Sequence, residues 1–320
     1  MRVLSLFDGI CCGHLALERA GIKIDSYDAY EIEPNAIKAT QANFPDVIPH
    51  GDVTKEDFTK YKDKVDIIIF GSPCQGFSSS GKQLNFSDPR SKLFFEAVRA
   101  IKECNPKYFL MENVVMKKEW QDIISSYLGV EPIEINSALV SAQNRRRLYW
   151  TNIPNVTQPE DRGIKLEDIL DDVEFKNYKN PAAIRGRRLN KATIVGRRLD
   201  ENGHRQDYDK TIPITQCLEV RASNTDKSNC LTTVDKDNVL TPLPVGRYPD
   251  AFKNNLPFRY YTTKEMCRLQ TLPDSFLNMI PDSAARKALG NGWTVDVIAH
   301  IFSFLPDEYK ISEKNTWKLL

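Results

Sequence analysis

The chain has 320 residues, 41% hydrophobic and 27% charged, with a formal net charge of +1; this describes a folded globular protein with room for one large domain and a smaller one, not a disordered or fibrous chain. No apolar run approaches the roughly 18 residues that a membrane span needs. Seven cysteines without Cys-x-x-Cys spacing and four scattered histidines argue against a disulfide framework and against a metal site. The N-terminus lacks a signal-peptide layout, so reduced thiols and a cytoplasmic setting are expected.

Val3 to Phe7 reads as a short strand, Asp8 to Gly13 as a turn with two glycines, and His14 to Ala20 as a helix closed by Gly21. This order opens many nucleotide-binding α/β domains, because glycine lets the backbone approach a ligand. Ile24 to Tyr30 is a second strand, followed by Glu31-Ile32-Glu33. An acid about 20 residues after a glycine turn suits ribose hydroxyls, and Glu31 fits, although Glu ahead of Pro34 also suits a helix N-terminus. Pro34 to Asn43 reads as a helix and Gly51-Asp52-Val53 as a strand end, where Asp52 either bonds an adenine amine or caps the next turn.

Ile67 to Phe70 is an apolar run broken by Gly71 and Pro73, which places Cys74 at the carboxyl end of a buried strand. Such ends collect catalytic groups in α/β sheets, whereas an isolated thiol is ordinarily a small buried hydrophobe. A helix from Ser91 to Glu103, a strand from Lys107 to Met111 ending in Glu112-Asn113-Val114, a helix through Trp120 and Tyr127, and strands Ile133 to Val140 and Leu148 to Trp150 follow; the last is preceded by Gln143-Asn144-Arg145-Arg146-Arg147. The alternation predicts an α/β fold with a doubly wound, mostly parallel sheet.

From about Lys176 to Phe258 helical periodicity fades, and short β-branched segments (Thr211 to Thr215, Leu231 to Val234) alternate with turn residues. Lys176 to Arg259 holds 16 Lys/Arg against 9 Asp/Glu, the local excess a phosphate-binding face requires. A small, irregular, β-rich domain is expected there. Helical patterns return at Thr263 to Thr271, Ser283 to Leu289 and Thr294 to Leu305, a segment expected to pack back on the first domain. The expected division is 1–175, 176–258 and 259–320.

In order along the chain, Leu6-Phe7-Asp8-Gly9-Ile10-x-x-Gly13, Gly71-Ser72-Pro73-Cys74-Gln75-Gly76-Phe77-Ser78, Met111-Glu112-Asn113-Val114, Gln143-x-Arg145-x-Arg147, Arg268-Leu269-Gln270-x-x-Pro273-Asp274 and Gly290-Asn291-Gly292-Trp293 resemble six motifs of the cytosine-5 DNA methyltransferases. The resemblance implies an S-adenosylmethionine-dependent, Rossmann-like catalytic domain with a target-recognition domain at 176–258. Cys11-Cys12 departs from the glycine-rich first motif of many bacterial members, and Asp8-Gly9-Ile10 and Gly292-Trp293 look more like the animal de novo branch. Plain packing is the expected role of these two thiols.

By resemblance, Cys74 is the nucleophile that adds to carbon 6 of cytosine, Glu112 serves ring nitrogen 3 and the exocyclic amine, Arg147 contacts the ring carbonyl, and Arg145 orients Glu112 and a phosphate. The cofactor, S-adenosyl-L-methionine, is expected against Phe7 (adenine stacking), Glu31 (ribose), Asp52 (adenine amine) and Asn291 (methionine end), with Asp8, Gly9, Ile10, Gly13, Ile32, Val53, Pro73 and Trp293 completing the set. The implied partner is double-stranded DNA, its target base flipped out of the stack. Gln75, Ser78 and Ser80, in a loop (Gln75 to Asp88) expected to close over that base, and Arg185, Arg187, Arg188, Arg197 and Arg198 are the expected DNA contacts, most of them to phosphates. A monomer of prokaryotic or phage type is implied, with a cognate restriction endonuclease as a possible companion. The alternatives are a tRNA cytosine-5 methyltransferase of the same family, whose Cys-Phe-Thr tripeptide is absent, a dinucleotide-dependent oxidoreductase, and a catalytically dead DNA-binding relative.

Overall fold

The computed structural model describes residues 1–72, 92–173, 175, 188–222 and 225–311. Pro73, Cys74, Gln75, Ser78 and Ser80, the loop from Gln75 to Asp88, and Arg185 and Arg187 lie outside these described residues.

The first sheet contains β1 (Arg2–Leu6), β2 (Ser26–Tyr30), β3 (Ile48–His50), β4 (Ile67–Phe70), β5 (Tyr108–Val114), β6 (Ile133–Asn136) and β7 (Arg146–Thr151) in the order β3-β2-β1-β4-β5-β7-β6. All pairs are parallel except those of β7, which runs antiparallel to β5 and β6. Its central strands are buried on both faces, as the unbroken apolar run of β4 requires. Alternation divides them between two cores: Val3, Ile67 and Ile69 turn to one side, Leu4, Leu6, Ile68 and Phe70 to the other. Helices cover both sides: α1 (Cys12–Arg19), α2 (Pro34–Asn43), α3 (Lys92–Cys104) and α4 (Lys118–Leu128). Pro34 starts α2, where its fixed φ suits the first helical position.

Strand order reverses between β1 and β4, so the chain leaves these neighbours in opposite directions and opens a crevice at their carboxyl ends.

The second sheet is antiparallel throughout: β8 (Asn190–Arg198), β9 (Ile214–Val220), β10 (Val239–Thr241), β11 (Gly246–Tyr248) and β12 (Arg259–Tyr260), in the order β11-β9-β8-β10-β12. The remaining helices, α5 (Thr263–Leu269), α6 (Asp282–Asn291) and α7 (Val295–Phe302), return to the first sheet, where Ile298, Ile301 and Phe302 share a core with Leu17 and Ile22. Among the described residues no helix is long and apolar enough to cross a membrane.

Several local expectations are corrected. Leu231 to Val234 forms no strand, and the expected strand at Thr211 instead begins at Ile214 and runs to Val220. The strand near Gly51 ends at His50, because the Asp52 side chain accepts from Thr54 N and starts a 3-10 turn. The strand from Ile133 ends at Asn136, whose side chain caps another such turn. Pairing with β7 carries β5 through Glu112 to Val114, so Glu112 lies within the strand rather than beyond it.

Candidate active site

The crevice between β1 and β4 is a cleft of about 410 Å³, within the range of small-molecule and cofactor sites. Its floor is the turn after β1, where Phe7 (φ 56) and Gly9 (φ 63) take left-handed backbone conformations. Glycine takes such a conformation without strain, whereas at Phe7 the surrounding structure imposes it.

Two carboxylates stabilise this turn. Glu31, at the end of β2, accepts from the backbone N–H of Gly9 (2.8 Å), Ile32 (2.7 Å) and Glu33 (2.8 Å). Asp8 accepts on Oδ1 from Ser5 Oγ (2.5 Å) and Tyr27 OH (2.8 Å), while its buried Oδ2 has no partner. Burial pushes the Asp8 carboxyl up to about 6 against the pull of these two hydroxyl donors. Opposite, α6 and the residues after it supply Lys287, Asn291 and Trp293, and Lys287 Nζ reaches Glu33 at 3.6 Å.

The other end of the cleft holds the arginines. Arg147 Nε pairs with Glu112 Oε1 at 3.0 Å, both side chains largely buried. Arg145 is turned away from Glu112. Its guanidinium donates to the carbonyls of Leu231 (3.0 Å), Gly290 (3.3 Å) and Gly292 (2.8 Å), so it binds the strap after β9 and the end of α6 to the first sheet. The expected division of labour is therefore corrected: Arg147 orients Glu112, and Arg145 holds the wall. Arg147 is held within β7 between Val114 and Ile135, whereas Arg145 lies just before the strand.

A buried network continues that wall. Gln143 donates to Leu269 O and Gln270 Oε1 and accepts from Leu231 N. Gln270 in turn donates to the carbonyls of Leu289 and Gly292. At Gly290 a Cβ would lie 2.5 Å from the carbonyl of Thr232, so only glycine allows this approach.

Of the expected cofactor residues, Phe7, Asp8, Gly9, Ile10, Glu31, Asn291 and Trp293 line the cleft. Four others do not. Gly13 sits in α1, where a Cβ would strike Ile69, so its small size serves packing. Ile32 projects outward, Val53 is buried in the core beside Phe58, and Asp52 is spent on its turn. Lys287 and Asn113 line the cleft without having been expected there; lysine on a polar helix face and asparagine beside a buried strand carry no distinguishing sequence signal.

The expected DNA-contacting arginines are mostly engaged. Arg188 pairs with Asp226, and Arg197 with Glu219 and Asp207. Arg198 buries its Nε.

Burial pushes the thiols of Cys12, Cys104 and Cys267 up to about 12 and raises those of Cys11 and Cys217. None of these is a ready thiolate, in keeping with the packing role expected of Cys11 and Cys12. Cys230 is half-buried and accepts from Arg145 Nη1 at 3.3 Å.

The donor set discriminates between ligands. Asp8, Glu31 and Glu33 gather at one end, and Gly9 N–H, which a pyrophosphate would use, is taken by Glu31. Hydroxyl groups and a cationic methionine portion match these acceptors. A dinucleotide would meet repulsion.

A family model described as C-5 cytosine-specific DNA methylase matches residues 1–306. Type II methyltransferase M1.ScrFI of Lactococcus lactis subsp. cremoris is 31% identical, over 98% of this chain and 80% of its own length. Type II methyltransferase M.HpaII of Haemophilus parainfluenzae is 29% identical, over 92% and 86%. Among solved structures, the Entamoeba histolytica methyltransferase EhMeth superposes with a TM-score of 0.68 at 19% identity, covering 97% of this chain and 99% of its own. The S. pombe Dnmt2 methyltransferase gives 0.65 at 21%, covering 95% and 98%. At these identities the structural likeness concerns the fold.

Proposed function

This chain belongs to the C-5 cytosine-specific DNA methylase family, and from that premise we propose that it methylates carbon 5 of cytosine within a specific duplex DNA sequence, on a base flipped into the cleft. The observation that carries this reading is the joining of two chemistries in one crevice: a carboxylate-rich end and the Arg147–Glu112 pair.

S-adenosyl-L-methionine is the cofactor and supplies an electrophilic methyl group. Phe7, Asp8, Glu31, Asn291 and Trp293 are the residues that would hold it. The sulfur of Cys74 forms a bond to carbon 6 of cytosine, and the ring electrons move onto carbon 5 and nitrogen 3. Glu112 serves nitrogen 3 and the exocyclic amine as this charge develops. Arg147 fixes the carboxyl that does so, and Arg145 keeps the wall closed behind it. With the methyl group bonded to carbon 5 and its former bond to the cofactor sulfur broken, a solvent base would take the proton from carbon 5, and the electrons left behind would re-form the ring double bond as the bond to Cys74 breaks. Residues 1–175 and 259–320 carry this chemistry, and 176–258 selects the site. Relatives named type II methyltransferases support a role as the modifying member of a restriction–modification pair.

The test is transfer of labelled methyl from S-adenosylmethionine to duplex DNA and to tRNA. Label in DNA cytosine is expected; label confined to tRNA overturns the proposal. Duplexes carrying 5-fluorocytosine should trap a covalent adduct that Cys74→Ser loses and Cys230→Ser retains. The reverse pattern would transfer the nucleophile to Cys230. Bisulfite sequencing of DNA from expressing cells identifies the site.

A further inference from the structure

Alternation gives the second sheet two unlike faces. Ala192, Ile194, Leu218 and Val220 turn to one side and form a small apolar core with Val239 and Phe258. Arg197 of β8 and Glu219 of β9 turn to the other, with Arg221 just beyond the end of β9. Arg247 of β11 stands opposite Glu219 in register.

On that side one carboxylate collects three guanidiniums. Glu219, 7% exposed, accepts from Arg197 Nε at 2.8 Å, Arg247 Nε at 3.0 Å and Arg221 Nη2 at 3.1 Å. These donors hold its carboxyl down to about 2, so a single fixed negative charge faces three positive ones and the surplus is turned to solvent.

The three arginines are not equivalent. Arg197 is 14% exposed and also faces Asp207, which withdraws it from any partner. Arg221 and Arg247 are 72% and 37% exposed, and among the described residues neither has an acceptor other than Glu219. Arg247 spends Nε on Glu219, which leaves its two terminal amino groups. That fork matches the O6/N7 edge of guanine. Three other basic residues of the segment pair with acids: Arg188 with Asp226, Arg205 with Asp207 and Lys253 with Asp250. At Glu219, by contrast, one carboxylate holds the orientation of exposed guanidiniums. A phosphate contact needs only charge, whereas reading a base edge needs a fixed orientation.

We propose that Arg221 and Arg247 are specificity-determining contacts to base edges of the DNA, and that Glu219 is the positioning residue that aims them. The inference rests on the reading of the chain as a DNA methyltransferase and names the residues by which it selects its site.

The experiment measures methylation of the cognate duplex and of duplexes with one flanking base changed. Arg247→Ala and Arg221→Ala should each lower kcat/KM on the cognate duplex by roughly 10- to 100-fold and narrow the gap to altered duplexes, with kcat at saturating DNA nearly held. Arg247→Lys keeps the charge without the fork and should lose discrimination while keeping affinity. Glu219→Gln removes a negative charge, so a purely electrostatic role requires tighter binding; a positioning role requires lower discrimination. Lys253→Ala, a charge control in the same segment, should leave discrimination unchanged. Equal weakening on all duplexes, or unchanged discrimination in folded Arg247→Lys and Glu219→Gln, overturns the proposal. Wild-type protein that methylates no duplex DNA would instead overturn the functional reading itself.

Discussion

The two sheets each bury a carboxylate next to a working surface, and they treat it in opposite ways. In the first sheet Asp8 is enclosed without a cation, and burial lifts its carboxyl to about 6. In the second, Glu219 is enclosed by three guanidiniums and held down to about 2. Burial is common to both, so the difference lies in the neighbours. A parallel sheet covered on both faces offers a strand end lined by hydroxyls and backbone N–H groups. An antiparallel sheet with one open face offers arginine side chains in register. The first arrangement encloses a carboxylate among hydroxyls with no cation; the second orients arginine donors around one.

The largest expected effect lies where the two regions are joined. Arg259 of β12 and Glu265 of α5 form a bidentate pair at 2.8 and 2.7 Å, and both are buried. Glu265 also accepts from Asp171 N and Thr262 N. Glu265→Ala strands a guanidinium in the interior and should cost about 3–5 kcal/mol, read by urea unfolding. A much smaller loss would mean that the two regions hold together through apolar packing alone.

Next comes Asp8. Its folded pKa is raised, so the folded state binds the proton more tightly, and stability falls as pH rises from about 4 to about 6. The ligand-free protein should therefore carry a penalty of about 3 kcal/mol at neutral pH. Asp8→Asn should remove this slope and raise the melting temperature at pH 7.5. An unchanged profile would dissolve the contrast with Glu219.

The third effect has the opposite sign. Glu219 has a lowered pKa, so its contribution is present above about 4.5 and is lost as pH falls toward 2. Glu219→Gln should flatten only the acid limb of the unfolding profile. A loss of equal size at pH 5 and pH 2.5 would show that the carboxylate acts by shape and not by charge.

Much of this architecture is legible along the chain. Pro34 to Asn43 and Ile67 to Phe70 form the elements their patterns indicate, because a proline start and an unbroken apolar run are local signals. The cleft residues Phe7, Asp8, Glu31, Glu112 and Arg147 follow from strand ends and motif positions. Asp52 does not reach the cleft because its side chain satisfies a nearer donor, Thr54 N–H. The nine-residue strand β8, rich in Arg and Gly at its end, has no apolar alternation strong enough to announce it. Arg197, an expected DNA contact, is instead held on Glu219 and largely buried, a pairing that the packing of β8 on β9 decides.

The sequence by itself determined the alternation of strands and helices in the first 150 residues, the α/β class, the family and much of the set of polar side chains brought to the strand ends, because each depends on neighbours a few residues apart or on motifs. The tertiary structure alone decided that Arg147 rather than Arg145 serves Glu112, that Gln143 and Gln270 carry the cleft wall, and that Arg221 and Arg247 are the outward guanidiniums. Such pairings join residues up to 147 positions apart, as Arg145 and Gly292 are. Pairing a charge depends on which partner the packed backbone brings within about 3 Å, and charge count and spacing along the chain do not encode that distance.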